Sequence, residues 1–350
     1  MLTRRAATGH PVASGTGHPA PRRGDALALT IAVLCTSTAG PLIAATAAPA
    51  LAIAFWRNGL AAAVLLVPAL FRCRRELRGM SVGVLGGSLL AGTFLAAHFA
   101  TFTPSLRFTS VASAAALVCS SAVWAAIFSR FLGERLSLRA WIGVAVALCG
   151  VLLLTGLDLS VTPRALLGDL LALLGGMFGG AYVVAGGRCR QHLSTTAYTL
   201  LCYGSAAGIL LLVCVLMGQP LTGYAPADWV RIIALAVFAQ LLGHSLFNLA
   251  LRSTSATVVS LVTLFTVPLA AIIAAVALGQ LPPVTTLPAL VLLLAGVGLV
   301  VTARSTTVPA EHRWSRTVPV VLPEAPKSLD EEPAHGGDRS RSSGRTQDDE

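Results

Sequence analysis

Apolar runs that follow one another almost without interruption constrain this chain more than any other feature. Between residues 26 and 303 the sequence is a succession of long apolar stretches separated by short polar turns. A helix needs ~20 mainly apolar residues to cross the hydrocarbon core of a bilayer. Runs of that kind fall near 26–47, 51–70, 81–102, 109–129, 140–157, 166–187, 196–217, 229–250, 256–278 and 284–303. They do not alternate as strands do and are rich in Ala and Leu, so they read as helices. The expected fold class is an all-α integral membrane protein with ten transmembrane helices. Composition agrees: 55% of residues are hydrophobic and 11% charged, with a mean hydropathy of +0.76. A soluble domain carries about a quarter charged residues.

The formal charge is +10, and all basic residues but Lys327 are Arg. They lie between the apolar runs rather than in one aromatic-flanked patch, so nucleic acid is not an expected partner. Membrane topology accounts for them better. With the N-terminus inside, the inner segments hold Arg4, Arg5, Arg22, Arg23, Arg72, Arg74, Arg75, Arg78, Arg130, Arg135, Arg139, Arg188, Arg190 and Arg252. The outer segments hold only Arg107, Arg164 and Arg231. The expectation is a multi-pass protein of the cell membrane with both termini in the cytoplasm. After Arg22-Arg23 the apolar run is too long for a cleavable signal. The seven cysteines show no CxxC and no metal spacing, and most sit inside apolar runs, where Cys is a small hydrophobe. No metal site and no cofactor are expected.

A polar interruption occurs twice. "HFATFTPSLRFTS" at residues 98–110 and "HSLFNLALRSTS" at residues 244–255 both run from a histidine to Leu-Arg-x-Thr-Ser. At an offset of 145, Leu106-Arg107-Phe108-Thr109-Ser110 matches Leu251-Arg252-Ser253-Thr254-Ser255, and Ala125-Ala126-Ile127 matches Ala270-Ala271-Ile272. One residue further on, Leu132-Gly133-Glu134 meets Leu278-Gly279-Gln280 and Gly150-Val151 meets Gly296-Val297. At 144, "GDALAL" from Gly24 meets "GDLLAL" from Gly168. The organisation expected is a disordered cytoplasmic segment over 1–23, five-helix repeats over 24–157 and 166–303, and a disordered tail over 304–350. Five being odd, the second repeat crosses the membrane in the opposite sense, a common plan of secondary transporters.

The chain resembles the EamA type of the drug/metabolite transporter superfamily over about residues 24–303. The resemblance is carried by "AIAFWRNGLAA", "HFATFTPSLRFTSVASAAALV", "FLGERLSLRAWIGVAVALCGVLL" and "GHSLFNLALRSTSATVVSLVTLFTVPLAAIIAAVALGQLPP". It implies a ten-helix carrier, often an exporter, that moves metabolites or drugs by alternating access. Two positions depart from the family pattern: Val123 stands where a proline is usual in span 4, and Gln280 where an acid is usual after span 9. Pro268 and Glu134 follow the pattern.

Polar residues inside spans are the candidate substrate path. His98 and His244 each sit near the end of a span, and inversion would set them on opposite sides of the midplane. A histidine can carry a proton or hydrogen-bond a substrate, or it can serve as a bond between helices. Gln240, His244 and Asn248 recur at steps of four and share one face of span 8, pointed away from lipid. Arg57, beside Trp56, either meets an anionic substrate or snorkels to headgroups and pairs structurally. Spans 3, 4, 8 and 9 are expected to line the cavity. Gly40-Pro41 interrupts span 1, and Gly175, Gly176, Gly179 and Gly180 would interrupt span 6 at similar depth. With Glu134 and Pro268, Gly40 and Pro41 are candidate structural or gating positions. Asp25, Asp169 and Glu134 read as structural.

The partners expected are a small-molecule substrate and membrane lipid. An ATP-driven pump lacks its GxxxxGK[ST] motif here. A membrane-embedded enzyme or a channel is the alternative. The first would need a reactive constellation such as HExxH or paired Asp, and the second a filter segment. Substrate identity, direction and oligomeric state are not legible.

Overall fold

Serine hydroxyls start four of the helices. Ser110 Oγ accepts from Ser113 N at 3.0 Å, Ser137 Oγ from Ala140 N at 3.3 Å, Ser194 Oγ from Ala197 N at 3.3 Å and Ser81 Oγ from Val84 N at 3.4 Å, each satisfying an orphan N–H of a first turn. The computed structural model describes residues 23–133, 136–161, 163–250 and 262–303, and within them every regular element is helical. In order these are α1 (Arg23–Ser37), α2 (Ala39–Ala45), α3 (Ala50–Arg72), α4 (Arg74–Arg78), α5 (Val82–Ser105), α6 (Val111–Cys119), α7 (Ser121–Phe131), α8 (Leu138–Val161), α9 (Pro163–Cys189), α10 (Thr195–Leu216) and α11 (Pro226–Ala234). A π-helical segment π1 (Leu235–His244) continues α11 into α12 (Ser245–Ala250), followed by α13 (Thr266–Leu278), a 3₁₀ turn (Val284–Thr286) and α14 (Leu287–Thr302).

Eight helical stretches are long and apolar enough to cross a membrane: 24–45, 50–72, 82–105, 111–131, 163–187, 195–216, 226–250 and 284–302. The apolar stretches Leu138–Leu154 and Thr266–Leu278, on the expected fifth and ninth spans, are shorter. Eight rather than ten therefore meet that measure among the described residues. Residues 251–261, with Arg252 and the second Leu-Arg-x-Thr-Ser, lie outside them, as do Glu134 and both terminal segments. Large apolar side chains cover the outside, among them Phe71, Val82, Leu152 and Val276, as a lipid-facing surface requires.

The repeat is visible in the helix geometry. Span 4 bends at Ser120: Ser120 N donates to Leu117 O at 3.1 Å and Trp124 N to Ser120 O at 3.1 Å. At an offset of 145 the same two bonds recur, Phe265 N to Val262 O at 3.1 Å and Leu269 N to Phe265 O at 3.4 Å. Val123 N, which donates to Ser120 O at 2.8 Å, has Pro268 as its counterpart. Proline lacks that N–H, so the bend at 265 is written into the sequence. At Ser120 the same bend forms without a proline. The two bent helices pack on each other, α6 against α13. Gly150 and Gly296, also matched by the repeat, face the α8–α14 contact. A Cβ on Gly150 would lie 2.5 Å from Leu293 N, and one on Gly296 would lie 2.2 Å from Ala147 N. No side chain fits at either, so the two backbones touch.

One of the expected interruptions is found and one needs correction. The first helix breaks at Thr38, three residues ahead of Pro41, the same spacing as between Phe265 and Pro268, and Gly40 and Pro41 lie buried at the start of α2. The hydroxyl of Thr38 donates to Cys35 O at 2.7 Å and closes the tighter turn. In span 6, α9 runs unbroken from Pro163 to Cys189, so its four glycines do not interrupt it. They let other elements approach instead: a Cβ on Gly176 would lie 2.6 Å from Ser120 Oγ, and one on Gly180 2.7 Å from Ser121 O.

Candidate functional site

Helix α3 places Arg57 two turns from its start, and the helices around it close over the side chain. Arg57 is 1% exposed and Asn58 is fully buried. Snorkelling is therefore not what Arg57 does. Its Nε and Nη2 donate to Gln240 Oε1 of π1 at 3.1 and 2.6 Å. The guanidinium carbon lies 4.1 Å from the centroid of the Phe99 ring on α5, a favourable cation–π position. Gln240 Nε2 in turn donates to Asn58 Oδ1 at 3.3 Å, and Asn58 Nδ2 to Ala54 O at 2.8 Å. The chain of bonds ties span 2 to span 8.

His98 faces the same region from α5. Its Nδ1 sits 2.8 Å from Gly175 O, so this nitrogen carries the proton and donates. Its ring stacks near Phe102, with centroids 5.8 Å apart, and meets Phe99 edge-on at 4.8 Å. A Cβ on Gly179 would come within 3.1 Å of His98 Nδ1, so α9 makes room for the imidazole. His244 ends π1. Arg57 and His98 both lie within its electrostatic reach. In π1 the hydrogen-bond ladder runs i→i+5 rather than i→i+4. A step of four thus falls short of a full turn instead of overshooting it.

Asn248 is set apart from this cluster: its Oδ1 accepts from Arg190 Nη1 at 3.2 Å. Trp56 leads the other way. Its Nε1 donates to Leu221 O at 2.8 Å, and its ring packs against Trp229 with centroids 5.0 Å apart. The end read as outer is tied together below these rings. Arg107 Nη2 donates to Thr46 O and Ala48 O at 2.6 and 2.8 Å. Buried Asp228 accepts from Ala47 N at 3.1 Å and pairs with Arg231 at 2.8 Å. Burial lowers the pKa of the Arg107 guanidinium, and the charge of Asp228 raises it. An open recess of about 380 Å³ lies between the 47–49 turn and Pro220–Asp228. At the end read as inner, the Glu76 carboxylate accepts the Ser194 N–H that begins α10. At the end read as outer, Asp169 accepts from Thr109 Oγ1 at 2.8 Å. Pro268 lies on the exposed face near the start of α13.

The cluster is thus Arg57, Asn58, His98, Phe99, Gln240 and His244, on spans 2, 3 and 8, with Gly175 and Gly179 of span 6 beside it. Of the spans expected to line a cavity, 4 and 9 contribute the bends rather than these side chains. Asn58 and Phe99 were not singled out from sequence, although Asn58 stands next to Arg57 in an apolar run. Among the described residues, no group of three or more His, Cys, Asp or Glu side chains could hold a metal ion.

A profile of the EamA-like transporter family matches residues 23–156 and again residues 166–302. The chain belongs to the EamA-like transporter family. It is also similar to the uncharacterized transporter YyaM of Bacillus subtilis (strain 168), 30% identical over 222 residues, which are 59% of this chain and 70% of that one. A solved crystal structure covers 80% of the chain, and 97% of its own length, with a TM-score of 0.55 and 21% identity. That likeness speaks to the fold alone. EamA membership and the apolar helices make this a multi-pass membrane transporter built from two EamA repeats, and a transporter of this family implies a small-molecule substrate.

Proposed function

We propose that this EamA protein is a secondary carrier that exports small metabolites or drugs across the cell membrane, with both termini in the cytoplasm. Ten helices form two inverted five-helix repeats, over 24–157 and 166–303, which rock against each other to give alternating access. The observation that carries the reading is the pair of matched bends at Ser120 and Phe265. Discontinuous helices at equivalent places in two halves are the elements that line a path and bend around it. The buried polar cluster between spans 2, 3 and 8 supports a path at the repeat interface, with Arg57, His98, Gln240 and His244 along it. Trp56 belongs to its outer approach and Asn248 to its inner one. Coupling to a proton through His98 or His244 is the finer form of the proposal.

Purified protein in liposomes tests it: a metabolite mixture should equilibrate or concentrate across the bilayer without ATP. No flux from a broad mixture, together with turnover in a catalytic assay, would replace the carrier with a membrane enzyme. An imposed pH gradient that leaves the flux unchanged would remove the proton.

A further inference from the structure

A full charge inside the membrane-spanning part of a protein needs a counter-charge or a dense set of dipoles. Arg57 is 1% exposed, and among the described residues the single ion pair is Arg231–Asp228, far along the chain from it. The carboxylates between residues 24 and 303 are Asp25, Glu76, Glu134, Asp158, Asp169 and Asp228, all near span ends or between spans. No acid from the middle of a span is there to neutralise it.

What Arg57 has is one neutral oxygen. Gln240 Oε1 accepts from both Nε and Nη2, at 3.1 and 2.6 Å. These two N–H groups form the edge of the guanidinium fork that matches the two oxygens of a carboxylate. A single amide oxygen now serves both, and Nη1 enters no hydrogen bond among the described residues. Phe99 beneath the cation steadies it without neutralising it. His98 and His244 lie within the electrostatic reach of Arg57. Tyr203, 1% exposed, lies within the electrostatic reach of the same group. None of these ionisable neighbours is a carboxylate, and the N–H of His98 already donates to Gly175 O.

We propose that this cluster is an oxyanion site and that the transported solute carries a carboxylate, whose two oxygens take the Nε–Nη2 edge in place of the Gln240 amide oxygen. Calling the ligand a transported solute rests on the carrier reading; the binding chemistry rests on the cluster itself. Gln240 is the amide counterpart of glutamate. Gln240→Glu therefore puts a resident carboxylate on the same edge and removes the need for an external one.

Thermal unfolding of the purified full-length protein in detergent reads the binding. Butyrate, butyramide, butylammonium chloride and sodium chloride are compared at one ionic strength. Butyrate should raise the melting temperature by roughly 2–4 °C near saturation, and the other three should not. Gln240→Glu should unfold no earlier than the parent and lose the butyrate response. Arg57→Lys, which keeps the charge but not the fork, should show a smaller response. Butyramide or sodium chloride acting as strongly as butyrate would overturn the site. So would a full butyrate response in Gln240→Glu, a variant that stays informative even where Arg57→Lys does not fold. Liposome flux separates the two readings. Butyrate binding without flux of any metabolite retires the carrier and leaves the site. Flux of neutral or cationic solutes without a butyrate response retires the site and leaves the carrier.

Discussion

Polar residues in apolar runs are the part of this protein that single residues disclose. His98, Gln240 and Arg57 stand out because lipid tolerates none of them facing outward, and all three lie inside the bundle. Their partners are less legible. Arg57 could have reached headgroups from two turns inside span 2; α5 and π1 closing over it prevent that, and no local pattern announces the closure. Gly175 O, which holds His98, is a backbone atom and leaves no mark on a sequence beyond the glycines that admit the ring. His98 loses one hydrogen bond when replaced by alanine, worth about 1 kcal/mol between membrane helices. For a chain of this size that lowers the melting temperature by roughly 1–2 °C. We therefore expect His98→Ala and His244→Ala to remain folded while liposome flux falls by about tenfold or more. Parental flux in both variants would take the histidines out of the path.

Helix existence follows from hydropathy, since long apolar runs without the alternation of barrel strands can satisfy their backbone groups in lipid only as helices. Helix continuity does not. The glycine-rich α9 is unbroken, and its glycines meet backbone and side chains of neighbouring helices rather than ending it. The ten-residue π1 carries no proline, and its one glycine, Gly243, stands at its end rather than where it begins. The bend at Phe265 is written by Pro268, whereas its match at Ser120 becomes visible only when the two repeats are superposed in register. That equivalence makes a prediction. Val123 N already donates to the i−3 carbonyl at 2.8 Å rather than taking a regular helical place, so a proline there forfeits one bond in a helix already bent. In the interior of unbroken α10 a proline costs ~3 kcal/mol or more. Val123→Pro should yield folded protein whose melting temperature lies well above that of Leu210→Pro. Equal loss in the two variants would mean that the bend at Ser120 is not the counterpart of the one at Phe265.

Duplication suggests two halves that each fold alone, and the packing argues otherwise. The closest helix pairs join the repeats to each other: α5 lies on α9, α8 on α14 and α3 on α10. Gly150 and Gly296 bring the α8 and α14 backbones together so tightly that neither position admits a Cβ. Arg57 of the first half finds its hydrogen bonds on Gln240 of the second, and His98 of the first finds its own on Gly175. A first repeat without its partner would leave a guanidinium and an imidazole in lipid with no acceptor, at a cost of several kcal/mol for the charge alone. It would also leave the α8 groove open to acyl chains that cannot follow it as closely as α14 does. Residues 1–161 expressed alone should therefore be degraded or aggregate, whereas co-expression with a separate chain of residues 162–350 should restore a complex that co-purifies and binds as the parent does. A first repeat that purifies alone, monodisperse and with a cooperative melting transition, would show that the halves meet as finished units, and the interface between them would then owe nothing to folding.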